Sequence, residues 1–275
     1  MVWRIEDKKI IIYGCGKMGG ALLRGWLESG LKKKNFCVVE PKPSEWLTSL
    51  TVSGLRLNSD QFLNPNICII AVKPQQAKVL LSKLDSNTFK NTLFISLVAG
   101  LKFSKMESLL GTSTSIIRVM PNTPVSIKKG VSCIVKNIKT TDKQLSLAEQ
   151  MFSRVGKSIV LDSESQMDAV TAISGSGPAY VFCFIEAVIK ASLRLGLSRD
   201  MATSLAIATV SGSGALAEAS DLDVTELRKN VTSPNGTTEA ALKILMQPKN
   251  GLFEILEQAS TAAYKRSKEL SLEEK

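Results

Sequence analysis

The stretch IIIYGCGKMGGAL, residues 10–22, restricts the fold of this chain more than any other. KIIIYG (9–14) is an apolar run closed by glycine, which is how a buried strand reads. GGALLRGWLESG (19–30) places apolar residues at helical spacing and stops at Gly30. Between them Gly14, Gly16 and Gly19 stand in the G-x-G-x-x-G spacing. A strand, a glycine turn and a helix in that order open a parallel, doubly wound sheet, and the turn makes a cradle for a dinucleotide. Gly14 allows the tight turn, Gly16 lets main chain approach a pyrophosphate, and Gly19 lets helix and strand pack closely. The helix N-terminus then faces the phosphates.

The rhythm continues. FCVVE (36–40), ICIIAVKP (67–74), TLFISLVAG (92–100) and SIIRVMPNTP (115–124) read as further strands alternating with helical stretches. VSCIV (131–135), a helix near 141–154 and SIVLD (158–162) complete a Rossmann-type α/β domain over residues 1–162. Beyond it the β pattern stops. PAYVFCFIEAVIKASLRLG (178–196) is an apolar helix, and residues 199–220 are rich in Ala, Gly and Ser. Helices follow at 237–247 and 252–270. Residues 163–275 are therefore expected to form an all-α domain.

Composition narrows the chemistry. The 275 residues contain no histidine, which removes a His general base, a Ser-His-Asp triad and a His-containing metal site. No metal is expected, since Cys-x-x-Cys is absent too. The five cysteines, Cys15, Cys37, Cys68, Cys133 and Cys183, are scattered through mostly apolar runs and read as reduced, buried thiols of a cytoplasmic protein. The formal net charge of +10 is spread along the chain, with no basic arm for nucleic acid. No apolar run reads as long enough to span a bilayer, and the N-terminus does not resemble a signal peptide.

Glu40 ends the second strand, where an acid bonds the adenosine ribose and favours NADH. Lys42, two residues on, favours NADPH or is simply an exposed lysine. AVKPQ (71–75) and VAG (98–100) end later strands, at the carboxyl edge where ligands bind in open sheets. Lys73 reads as a loop or phosphate residue rather than a catalytic amine. MPNTP (120–124) is a stiff loop presenting Asn122 beside a nicotinamide ring. In VTSPNGTTEAAL (231–242), hydroxyls and a glycine precede an apolar helix, which suits a cap or a carboxylate cradle. In SGSGPAY (174–180), Ser174 or Ser176 would cap a helix start.

DAVTAISGSGPAY (168–180) and VTSPNGTTEAAL (231–242) resemble the two signature segments of the pyrroline-5-carboxylate reductase family. GCGKMG, AVKP, VAG and RVMPNTP occur in the order that family shows. The resemblance implies NADPH- or NADH-dependent reduction of (S)-1-pyrroline-5-carboxylate to L-proline, a helical domain interlocked in a homodimer, and in some members larger rings of dimers. Carried onto this chain, it implies that Gly14, Gly16, Lys17, Met18 and Gly19 hold the pyrophosphate and Asn58 the adenosine side. Ala71, Val72, Lys73, Pro74, Ala99 and Gly100 would line the nicotinamide end, with Asn122 nearby. Ser233, Asn235, Gly236 and Thr237 would hold the substrate carboxylate, with Ser176 walling the pocket at the dimer interface. Thr238 would meet the ring nitrogen. At position 40 many members have a small hydroxyl residue, so cofactor preference stays open. A β-hydroxyacid dehydrogenase using Lys190 and a non-catalytic dinucleotide sensor are the competing readings.

Overall fold

The computed structural model describes residues 4–59, 64–84, 89 and 91–273. They form two compact units, one of residues up to Ser176 together with Ala263 onward, the other Gly177–Ala262. The first therefore reaches past the 162/163 boundary read from the sequence and includes the end of the last helix.

The first unit is built on one sheet. Its strands are β1 (Ile10–Tyr13), β2 (Phe36–Val39), β3 (Arg56–Leu57), β4 (Ile67–Ile70), β5 (Leu93–Ser96), β6 (Ile116–Pro121), β7 (Gly130–Lys136) and β8 (Gly156–Val160). Their spatial order is β3-β2-β1-β4-β5-β6-β7-β8. β1 pairs in parallel with both β2 and β4, so the order reverses beside it and the loop after β1 opens at the topological switch point. The sheet departs from the expected parallel rhythm in one place, the antiparallel pairing of β6 with β7. The connection between Pro121 and Gly130 holds only a 3-10 turn, Thr123–Ile127, too short for the helical crossover that a parallel pair needs.

Alternate residues of β1 face opposite sides, and each side has its own core. Ile10 and Ile12 pack with Leu22, Leu23 and Trp26 of α1 (Lys17–Glu28) and with Met151 and Phe152. Ile11 packs with Cys68, Ala77, Phe94 and Met106. α2 (Glu45–Ser49), α3 (Pro74–Leu81), α4 (Phe103–Leu110) and α5 (Asp142–Ser153) complete the helical layers, α5 beside α1 and α3 with α4 on the other side. Trp26 is fully buried and is held in register by its indole N–H, which donates to the Met151 carbonyl at 2.9 Å.

After β8, α6 (Met167–Val170) runs into a π-helical turn, Thr171–Gly175, and then into α7 (Gly177–Arg194). Ser174 and Ser176 were expected to cap a helix start. Instead the chain is already helical there: Ser176 has helical backbone angles and its N–H donates to the Thr171 carbonyl at 2.9 Å. Pro178 explains the widened turn, because it has no N–H for the carbonyl four residues back. That carbonyl belongs to Ser174, and the Asn122 amide donates to it instead, at 3.2 Å.

The helical run 164–194 contains an 18-residue window of mean hydropathy 1.5, a length and composition that core helices of soluble proteins share.

The second unit contains α7, α8 (Arg199–Ala219), α9 (Val224–Asn230), α10 (Thr237–Leu245) and the start of α11 (Leu252–Glu273). Among its described residues only Ala202 and Ala206 are buried hydrophobics. Phe182, Phe184, Leu205, Ile207, Leu216 and Phe253 are each more than two-fifths exposed. Cys183 is exposed on α7, whereas Cys37, Cys68 and Cys133 are buried as expected.

Candidate active site

The loop after β1 is tight on its inner side and open on its outer side. Gly14 has φ +90°, and a β-carbon there would lie 2.7 Å from the Ala71 carbonyl oxygen. One at Gly19 would lie 2.5 Å from the Gly14 oxygen, while one at Gly16 would meet nothing within 4 Å. Gly16 is the N-cap of α1 and supplies no side chain to its first turn, so the N–H groups around Lys17, Met18 and Gly19 look outward uncapped. A pyrophosphate fits this arrangement: main chain can approach closely at Gly16, and the helix end favours negative charge. Cys15 adds no nucleophile, since burial, and after it the Glu40 carboxylate, push its thiol up to about 11.

Glu40 does reach this loop, but its carboxylate is held by backbone N–H groups. Its Oε2 accepts from the Cys15 N–H at 2.8 Å and its Oε1 from the Lys42 N–H at 3.1 Å. Asn58, at φ 50°, clasps Glu40 from the other side. Its Oδ1 accepts from the Glu40 N–H at 2.8 Å and its Nδ2 donates to the Glu40 carbonyl at 3.0 Å. Glu40 and Asn58 thus fasten the end of β2 to the phosphate loop. Lys42 is exposed and lines the cavity beside that loop.

Ala71 and Val72 form the floor against which Gly14 turns. Lys73 is exposed and stands at the N-cap of α3, with Pro74 as the first helical residue. Ala99 is half-buried. Gly100 (φ +79°) is buried, and a β-carbon there would lie 3.2 Å from main-chain atoms of Leu270 and Ser271. Its lack of a side chain serves the approach of α11. Asp168 accepts from the Ser267 hydroxyl at 2.7 Å and fixes the same stretch. Asn122 is buried with its amide used at both ends, Oδ1 accepting from the Val131 N–H at 2.8 Å and Nδ2 donating to Ser174. It clamps the loop to the π turn rather than presenting a free amide. The Ser174 hydroxyl is buried without a hydrogen-bond partner.

In the second unit, α10 begins at Thr237 with Gly236 as an N-cap that provides no side-chain bond. Ser233, Asn235 and Thr237 are exposed, while Gly236 and Thr238 are half-buried. Asn235 is in the left-handed region at φ 59°, and its N–H donates to Glu239 Oε2 at 2.5 Å. Lys243 pairs with the other oxygen of Glu239 at 3.0 Å, and the two contacts hold that carboxyl below its ordinary value. A β-carbon at Gly236 would collide with the Ser233 hydroxyl, so the loop folds closely over itself. The result is a row of uncapped N–H groups and hydroxyls with its shape fixed by Glu239. Uncapped N–H groups at a helix start favour negative charge.

Residues 164–270 match the family model described as pyrroline-5-carboxylate reductase dimerisation, and residues 9–100 match one described as NADP oxidoreductase, coenzyme F420-dependent. Over 270 residues the chain is 35% identical to a pyrroline-5-carboxylate reductase of Pseudomonas aeruginosa, covering 97% of this chain and 98% of that one. The chain belongs to the pyrroline-5-carboxylate reductase family. A solved reductase of this family from Coxiella burnetii superimposes with a TM-score of 0.88 at 35% identity, covering 96% of this chain and 98% of the other. One from Plasmodium falciparum, with NADP bound, gives 0.85 at 31% identity, covering 97% and 99%. Membership in the reductase family sets aside the Lys190 reading; Lys190 is exposed on α7.

Within the first unit the structure gathers Gly14, Gly16, Lys17, Gly19, Glu40 and Lys42 around one loop. Within the second it gathers Ser233, Asn235, Gly236, Thr237 and Thr238. Ser176 lies at the C-terminal end of the π turn. Sequence reading missed Arg24 and Trp46, which line the cavity, and Glu239, which shapes the second loop. The spacing of Glu239 three residues after the N-cap was its signal, a reciprocal-capping pattern with glycine in the usual Ser or Thr place.

Proposed function

We propose that the chain reduces (S)-1-pyrroline-5-carboxylate to L-proline with NADPH or NADH, the first unit holding the dinucleotide and the loop 230–238 the substrate. The observation that carries this reading is the full-length relationship to the reductases, which takes in both loops. The reduced nicotinamide supplies a hydride when bound. The chain's own contribution is positioning, and that suits a protein without histidine, because a protonated cyclic imine is already a good acceptor.

Gly14, Gly16, Lys17, Met18 and Gly19 hold the pyrophosphate in this reading. Ala71, Val72, Lys73, Pro74 and Ala99 line the far end of the dinucleotide. The N–H groups at the start of α10 and the hydroxyls of Ser233 and Thr237 fix the substrate carboxylate. Asn235 and Gly236 give that loop its shape, and Ser176 contributes to the pocket wall. Thr238 hydrogen-bonds the ring nitrogen first and relays a proton second, since a lone hydroxyl is a weak acid. The test is oxidation of NADPH or NADH by pyrroline-5-carboxylate, with β-hydroxyacids as controls. Turnover of the imine alone is expected, and cofactor binding without imine turnover would overturn the reading.

The assembly is a homodimer, with larger rings of dimers as the further possibility the family offers. Support comes from the second unit, which leaves most of its large apolar side chains exposed and matches a dimerisation model. A helical unit with so little buried surface of its own needs a second copy to cover it. Sedimentation is expected to give a dimer or a multiple of it at micromolar concentration, and a stable monomer would refute the assignment. The same covering accounts for the apolar run 164–194 without a membrane. The protein is cytoplasmic in this reading, and its spread positive charge does not serve nucleic acid.

A further inference from the structure

The cavity beside the phosphate loop holds more positive charge than a pyrophosphate on a helix end requires. It encloses about 530 Å³ between α1, the end of β2 and α2. Lys17, Arg24, Lys42, Ser44 and the Trp46 ring contribute to its lining. Lys17 and Arg24 are seven residues apart on α1, so two helical turns return them to one face. The Arg24 guanidinium carbon lies 4.2 Å from the Trp46 ring centroid. That stacking restrains a side chain that would otherwise sweep through solvent. None of the described ion pairs uses Lys17, Arg24 or Lys42.

Glu40 is the one carboxylate among the lining residues. Its two oxygens are turned to the Cys15 and Lys42 N–H groups. A ribose reader would present the carboxylate to the 2′- and 3′-hydroxyls. Here it is directed at the main chain, and three cationic residues and two serines, Ser44 and Ser126, line the remaining space. The ligand class that fits is a phosphate dianion. At the end of the second strand of a doubly wound sheet, the group within reach is the adenosine ribose. The phosphate is then the 2′-phosphate that separates NADPH from NADH.

We propose that Arg24 is the specificity-determining residue for NADPH over NADH, supported by Lys42 and Ser44, with Glu40 acting as a positioning residue for the phosphate loop. The proposal rests on the dinucleotide reading of that loop. Calorimetric titration of the full-length chain with NADP⁺ and with NAD⁺, in the absence of imine, tests it. The parent is expected to bind NADP⁺ at least tenfold more tightly. Arg24→Ala should lose about 10- to 100-fold in NADP⁺ affinity, the loss typical of a charge-assisted contact, and change NAD⁺ affinity less than twofold. Arg24→Lys should restore part of the loss. Because Arg24 is exposed on its helix and only its stacking on Trp46 is lost, melting temperatures within about 4 °C of the parent are expected for both variants. Parallel weakening of both dinucleotides, or a parent that binds NAD⁺ as tightly as NADP⁺, would overturn the role of Arg24 while leaving the loop assignment standing. Failure of the parent to bind either would overturn the loop assignment and the proposal together.

Discussion

Thr238→Ala is expected to lower kcat about 100-fold, at the lower end of what a positioned proton donor supplies, with dinucleotide affinity unchanged. Thr238 is the second residue of α10 and is half-buried. Alanine is a better helix former than threonine, so the substitution should not destabilise α10. What disappears is a hydroxyl at a helix start whose N–H groups have no side-chain cap. If that hydroxyl orients the ring nitrogen and passes it a proton, the loss falls on the chemical step. Thr238→Ser keeps the hydroxyl and should recover most of the rate. Single-turnover reduction of the imine, measured beside equilibrium binding of NADP⁺, separates chemistry from cofactor binding. Full turnover in the alanine variant would remove Thr238 from the reaction.

Gly14→Ala is expected to damage both stability and binding. The residue sits at φ +90°, which alanine rarely adopts, and the new methyl would press on main-chain atoms of Ala71 and Val72 at 2.7–2.9 Å. Main chain at the end of a fully buried strand cannot swing aside as a long side chain can. Strain and overpacking together should cost about 3 kcal/mol, which lowers the melting temperature by roughly 6–12 °C. Affinity for NADP⁺ should fall more than about tenfold, since main-chain amides at a helix start position the phosphates. Gly16→Ala is the matched control. Its methyl meets no protein atom within 4 Å, so it should leave the melting temperature in place and weaken only the cofactor. Equal melting temperatures for the two variants would show that the Gly14 turn is not the constraint described.

Much of this was legible in the sequence because it is local. The strands announce themselves as apolar runs closed by glycine or proline, and Gly14, Gly16 and Gly19 act within one turn of chain. The direction of β7 was less legible. It depends on the length of the link from Pro121 to Gly130 rather than on any residue in the strand. Glu40 was recognised at the right place with a different partner, since its bond to Cys15 spans 25 positions and exists only because β2 ends beside the loop. Asn122 and Asn58 were chosen as ligand residues, and the structure shows their amides spent on neighbouring backbone. An asparagine in a tight loop satisfies main chain as readily as it meets a ligand, and spacing does not separate the two. The long helices of the second unit and α10 were readable from period, whereas the seven-residue α9 was too short to show one. What covers them was not, because their apolar residues have too few partners in their own unit.

The last helix has a consequence for how the protein is made. Residues 263–273 belong to the first unit, where the main chain of Leu270 and Ser271 abuts Gly100 and Ser267 bonds Asp168. A ribosome finishes the β-sheet long before it reaches them. At ordinary elongation rates the gap from Ser176 to Ala263 amounts to roughly 4–17 s. During that interval the nascent sheet lacks the stretch of main chain, Leu270 and Ser271, that packs against Gly100 in the finished unit. The dinucleotide-binding half is thus begun before the helical unit and completed after it.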